Sequence, residues 1–101
     1  QIFTIDTTAP AAPLLTVPMN NATCKSSPVF RWNRVDGAVS YEFQYDNDAD
    51  VSSPTYSMTT PNIYRKPPAM PNGTFFWRVR AQDVAGNWSD WSIIRSVTIS
   101  Q

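Results

Sequence analysis

The chain has no histidine, one cysteine and two leucines among its 101 residues. The absence of histidine removes the most common general base and the most common transition-metal ligand. Cys24 has no partner for a disulfide within the chain, so the fold depends on packing alone. Without a histidine to activate it, Cys24 is expected to be an ordinary side chain near a strand start. These absences argue against an enzyme and against a bound metal or other cofactor.

Neither sign of charge predominates, and no long apolar run is present. Eight Lys and Arg residues balance eight Asp and Glu residues. A neutral chain without a basic block lacks the charge pattern typical of nucleic-acid binders and of proteins held at a membrane surface. No segment approaches the roughly 20 apolar residues that a membrane span requires. We therefore expect neither nucleic acid nor direct membrane insertion.

The residues that are abundant favour β-structure. Val, Ile and Thr together number 24, and nine prolines interrupt the chain. β-Branched residues suit a pleated sheet, and the length fits a single domain. Alternating apolar and polar residues between turn signals predict an all-β sandwich without helices. Its seven short strands are predicted at residues 14–17, 29–33, 39–45, 55–59, 63–65, 93–99 and in the segment that follows Asn72 and Gly73.

The two ends of the chain resemble each other. Residues 1–6 alternate like a strand end, and their Phe-Thr-Ile-Asp is similar to Val-Thr-Ile-Ser at residues 97–100. Residues 7–13 have the Thr, Ala and Pro composition of a stiff linker. We expect residues 1–12 to be the end of a preceding repeat and a linker, and residues 13–101 to be the domain itself. The chain begins at Gln1 without a signal peptide, and we interpret it as a piece of a longer tandem array.

Several residues resemble a known family over roughly residues 13 to 99. They are Trp32, the Gly37-Ala38 turn, Tyr41 with Tyr45, and the run Asn72–Ala81. Together they resemble a fibronectin type III domain, which implies a seven-stranded Ig-like β-sandwich. Shorter strings at residues 6–10, 45–48, 52–54 and 81–87 look like tandem repeats of bacterial surface and secreted proteins. Phe75 stands where many family members place a tyrosine that makes a corner hydrogen bond, so the resemblance does not supply that bond here.

The segment Trp88–Ser92 is similar to the WSxWS pattern of class I cytokine receptor domains, which share this fold. In those domains the tryptophans interleave with arginines of the neighbouring strand. The resemblance implies a structural ladder made of Trp88, Trp91, Arg78 and Arg80, with Arg95 nearby. An arginine over an exposed indole contributes about 0.5 to 1 kcal/mol. The alternative is that Phe76, Trp88 and Trp91 contact a ligand.

Three acidic residues are spaced like the opening of a calcium loop. Asp46, Asp48 and Asp50 follow the pattern, but Val51 replaces the expected glycine and Ser57 replaces the expected glutamate. A solvated turn and a weak calcium site both remain open. The other carboxylates form no catalytic pair that the sequence reveals.

The resulting functional expectation is a non-catalytic spacer module of an extracellular, secreted or cell-surface protein. Its partners would be the adjacent domains of the same chain, and the isolated domain is expected to be monomeric. The alternative is a recognition module that binds carbohydrate or protein through exposed aromatic residues or loops. The two differ in one observable, because a binding module leaves a contiguous apolar patch exposed.

Overall fold

The computed structural model describes residues 9–25 and 28–101. Within these ranges eight strands form two packed sheets, and no helix that could cross a membrane occurs. The strands are Leu15–Val17 (β1), Ala22–Cys24 (β2), Phe30–Trp32 (β3), Ala38–Asp46 (β4), Tyr56–Thr60 (β5), Tyr64–Arg65 (β6), Gly73–Asp83 (β7) and Arg95–Ile99 (β8). One sheet has the order β1-β3-β6 and the other β2-β8-β7-β4-β5. The predicted all-β sandwich is confirmed.

The strand count differs from the seven expected, because the chain forms a further strand, β2, after Pro18. β1 pairs with β3, whereas β2 pairs in parallel with β8 of the other sheet. Asparagine side chains hold this crossover in place: the Ser96 N–H donates to Asn20 Oδ1 at 2.9 Å, and the Ser96 hydroxyl donates to Asn21 Oδ1 at 2.6 Å. The N-terminal part of the domain therefore contributes one strand to each sheet.

The core is built from aromatic rings contributed by both sheets. Phe30 and Phe43 have ring centroids 4.8 Å apart, and Phe30 meets Trp77 edge-on at 4.9 Å. Trp32 stacks on Phe43 at 6.1 Å. Such tilted and edge-on contacts add to the burial of apolar area. Every second residue of β7 from Phe75 onward faces the core, and all four are buried: Phe75, Trp77, Val79 and Ala81.

The start of β4 departs from the simple alternation. Alternation with the buried Tyr41 would place Val39 on the core face, but its side chain is 51% exposed. The register against β7 shifts between Ala38 and Ser40, so Val39 turns outward and Ala38 packs against the core instead. Tyr41 supplies a corner hydrogen bond, because its hydroxyl accepts from the Val35 N–H at 3.0 Å.

The described chain begins and finishes at opposite ends of the sandwich. At the end called here the N-terminal end, the Asn33 N–H donates to the Leu14 carbonyl at 2.8 Å, and Ala38 lies opposite Asp83. At the C-terminal end, Ile99 of β8 lies opposite Gly73 of β7. The 11 residues of β7 run between these ends, a distance of about 35 Å at the usual rise of a strand.

Candidate functional site

Two arginines lie on the outer face of the five-stranded sheet. Arg78 and Arg80 alternate with buried residues of β7, so their side chains leave the core and lie on the outer surface. Their partners on the neighbouring strand β4 are Gln44 and Glu42. Residues that lie directly opposite in paired strands share one face. Four long polar side chains are therefore gathered on this face.

The segment Trp88–Ser92 continues the sheet edge beyond β8, which pairs with β7 only as far as Trp77. Ser89 donates its N–H to the Ala81 carbonyl at 2.7 Å, and its hydroxyl oxygen accepts from the Ala81 N–H at 2.8 Å. Ser92 repeats this arrangement on Val79, at 2.8 and 3.0 Å. The two serines thus satisfy backbone groups of β7 that no strand reaches.

The serine hydrogen bonds position the neighbouring tryptophans over the arginines of β7. The Arg78 guanidinium carbon lies 4.0 Å from the centroid of the Trp91 ring, and the Arg80 carbon lies 4.7 Å from it. The Arg80 carbon also lies 4.3 Å from the centroid of Trp88. The four side chains alternate in the order Arg78, Trp91, Arg80, Trp88. We call this arrangement the Trp-Arg ladder.

Hydrogen bonds to β4 orient both guanidinium groups of the ladder. Arg80 forms an ion pair with Glu42 at 2.7 Å. Arg78 donates through Nε and Nη2 to the Gln44 Oε1 atom, at 3.1 and 2.9 Å. Burial lowers the pKa of Arg78 below its usual value, and the positive charge of Arg80 lowers it further. Arginine nevertheless keeps its charge at neutral pH, so both groups act as cations.

Arg95 and Phe76 lie outside the ladder. Arg95 donates to the carbonyl oxygens of Thr16 and Pro18, each at 2.9 Å, and so fastens the crossover between β1 and β2. Phe76 is half-buried on β7, opposite Asp46 of β4 and Ser96 of β8. In the described ranges no ring contact joins Phe76 to Trp88 or Trp91. These three residues therefore form no continuous aromatic surface.

The aspartates after β4 are arranged as a turn. Asp46 is 2% exposed, and its carboxylate accepts from the Asn47 N–H at 2.7 Å and from the Thr55 hydroxyl at 3.2 Å. It also accepts from the Ser53 N–H at 3.3 Å. Asp50 accepts from Ser52 N–H at 3.2 Å. Among residues 9–25 and 28–101, no group of three or more side chains is arranged to hold a metal ion.

A shallow depression of about 370 Å³ lies at the N-terminal end, between the linker and the β3–β4 turn. Its titratable residues are Arg34 and Asp36, which are adjacent to apolar residues of the linker. The residues that line this depression include no nucleophile paired with a general base. Covalent and acid–base catalysis both need such groups.

No protein family model and no curated protein sequence matches the chain. Its structure is similar to that of the Streptomyces avermitilis alpha-L-rhamnosidase complexed with L-rhamnose, with a TM-score of 0.61 and 18% identity. That match covers 91% of this chain and 10% of the rhamnosidase chain. The structure is also similar to the fibronectin type III domain of human fibronectin type III domain containing protein 3, with a TM-score of 0.55 and 16% identity. This second match covers 97% of the chain and 93% of that domain. The two-sheet fold of the chain is therefore that of a fibronectin type III domain.

Proposed function

We propose that this chain is a non-catalytic spacer module of a larger extracellular protein. The observation that carries the proposal is the position of Leu14 and Ile99 at opposite ends of the sandwich, where Leu14 pairs with Asn33 and Ile99 with Gly73. A domain traversed in this way separates the domains attached to it by its own length. The similarity to one tenth of a rhamnosidase chain supports a place within a multidomain protein.

The linker adds to the stiffness of such a spacer. Pro13 is buried and Pro10 is half-buried, so the chain that leads into β1 is packed against the domain. Proline also restricts the backbone itself, because its ring holds φ near −65°. A packed proline linker limits how far an adjacent domain can pivot.

The Trp-Arg ladder serves the same purpose on the outer face of the sheet. The guanidinium groups of Arg78 and Arg80 both lie against the Trp91 ring. Arg80 is in turn paired with Glu42 of β4. Cation–π contacts and the ion pair hold β4, β7 and the segment Trp88–Ser92 together. They also cover indole surface that would otherwise favour association with other chains.

The spacer proposal is tested with two copies of the 101-residue chain joined in series and spin-labelled at equivalent exposed positions. We expect a narrow distance distribution, centred above the roughly 35 Å length of β7 and below about 75 Å, the value reached if residues 1–12 between the copies were fully extended. Pro10→Gly is the matched variant, and it should broaden the distribution without unfolding either copy. Broad distances in the unchanged pair, or collapse of the two copies onto each other, would contradict a spacer role.

A recognition role for Trp88 and Trp91 has less support. A sugar ring stacks on an open aromatic face, whereas Trp91 lies between Arg78 and Arg80 and Trp88 has Arg80 over one face, so little indole surface of Trp91 is left for a sugar. Affinity electrophoresis in a gel that contains neutral polysaccharide tests this alternative. If the polysaccharide slowed migration of the unchanged chain but not of Trp88→Ala, the result would support the recognition role.

A further inference from the structure

The three-stranded sheet carries charge of one sign only. Its strands and their flanking residues, 14–18, 29–35 and 63–66, contain Arg31, Arg34, Arg65 and Lys66 and no acidic residue. The acidic residues of the described ranges lie on the five-stranded sheet, on its loops or in the β3–β4 turn: Asp36, Glu42, Asp46, Asp48, Asp50, Asp83 and Asp90. The neutral total therefore conceals an excess of positive charge on the three-stranded sheet, although Arg78, Arg80 and Arg95 lie on the other sheet.

One row of side chains crosses the outer face of this sheet. Val17 lies opposite Arg31, and Arg31 lies opposite Tyr64. Arg31 alternates with the buried residues of β3, so the row is directed away from the core. Lys66 is exposed and directly follows β6, two residues after Tyr64. Arg65 points the other way, where its Nε donates to the Tyr56 hydroxyl at 2.9 Å.

The cations of this row keep their hydrogen-bond donors available. The ion pair found among residues 9–25 and 28–101 joins Arg80 to Glu42, and none involves Arg31 or Lys66. Arg31 lies 5.6 Å from the centroid of the Tyr64 ring, and Tyr64 is 46% exposed. An exposed aromatic ring beside a guanidinium with free donors differs from the Trp-Arg ladder, whose arginines are engaged by Glu42 and Gln44.

We infer that the face formed by Arg31, Tyr64 and Lys66 binds an acidic polysaccharide. The planar guanidinium of Arg31 matches the two oxygens of a uronate carboxylate, and Lys66 attracts a second acidic group as a point charge. Tyr64 is 46% exposed, and the part of its ring that Arg31 leaves open packs against the apolar face of a pyranose. Charge complementarity selects this partner, because no described carboxylate of the sheet competes for the cations. This role goes beyond the spacer function and does not depend on it.

The test is titration calorimetry of the 101-residue chain with polygalacturonate, with neutral dextran as the uncharged comparison. We expect binding to polygalacturonate that weakens as the ionic strength rises from about 0.01 to 0.15 M, and no binding to dextran. Arg31→Gln should weaken binding by about tenfold, the effect of losing a charged hydrogen-bonding group. Lys25→Gln is the matched control, because it removes one exposed positive charge near the other sheet and should leave affinity unchanged.

Several results would overturn the inference. They are no binding to polygalacturonate, equal binding to dextran, and an equal loss in Arg31→Gln and Lys25→Gln. Tighter binding to dextran sulfate would reject the carboxylate as the recognised group, and equal binding to single-stranded DNA would reject the polysaccharide. Tyr64→Ala must also weaken binding, since an unchanged affinity would refute the stacked pyranose. Thermal melts of each variant show that the fold is intact.

Discussion

Arg80→Ala is the substitution that tests the Trp-Arg ladder most directly, because Arg80 lies between two indoles and also pairs with Glu42. Each cation–π contact contributes about 0.5 to 1 kcal/mol. The ion pair joins side chains that are 30% and 17% exposed, and contributes about 0.5 to 1 kcal/mol. We expect a loss of about 2 kcal/mol in the free energy of unfolding, which lowers the Tm by roughly 10 °C in a domain of this size.

The assay is thermal unfolding followed by circular dichroism, with Arg31→Ala as the control. Arg31 makes one cation–π contact, at 5.6 Å with the exposed Tyr64, and no ion pair in the described ranges. Its removal should lower the Tm by about 2 to 5 °C, half or less of the shift expected for Arg80→Ala. A double-mutant cycle of Arg80→Ala with Trp88→Ala then isolates their coupling. An Arg80→Ala melting curve that coincides with that of the unchanged chain would refute the ladder as a brace.

Three other outcomes follow from contacts of the same sandwich. Ser92→Ala leaves the buried Val79 N–H without its 3.0 Å acceptor, so urea unfolding should show a loss of about 1 to 2 kcal/mol that Ser92→Thr partly restores. Burial, reinforced by Tyr56, raises the pKa of Tyr45 above its usual 10.0, so the folded chain keeps a phenol proton that the unfolded chain releases. Stability should then be constant with respect to this group below about pH 10 and fall above it, and Tyr45→Phe should remove that fall in urea titrations at pH values of about 9 and 11. Finally, the Asp46 carboxylate is already occupied by donors of its own turn. Calorimetry with about 5 mM Ca²⁺ should therefore detect no heat and melts no shift, whereas a stoichiometric signal would establish the calcium site instead.

Much of the sandwich can be predicted from local pattern. In β7 the alternation from Phe75 to Ala81 assigns each side chain to the correct face, because the strand is long and regular. The same alternation places Arg78 and Arg80 on the outer surface, where the structure finds them. Where one face of a strand is packed, a period of two determines which residues are buried.

The features that escape prediction depend on tertiary pairing. β2 has three residues and half-buried ends, so it carries no apolar alternation, and its existence depends on β8 as a parallel partner. Val39 would continue the pattern of β4, but the register shift against β7 turns it outward. Ser89 and Ser92 have no apolar signal at all, although their hydroxyls pair with the backbone of β7. Such roles become visible only when the neighbouring strand is in place.

The parallel pairing of β2 with β8 determines how the domain responds to tension. A force that separates the two chain ends pulls β2 toward the N-terminal end and β8 toward the C-terminal end, along the strand axes. Because Ala22, Thr23 and Cys24 lie beside Val97, Thr98 and Ile99, this load is shear across the whole ladder. Hydrogen bonds in shear share the load and break together, whereas bonds peeled from one end break singly. Pulling the chain ends apart would therefore load the three-residue pairing of β2 with β8 in shear rather than peel it open.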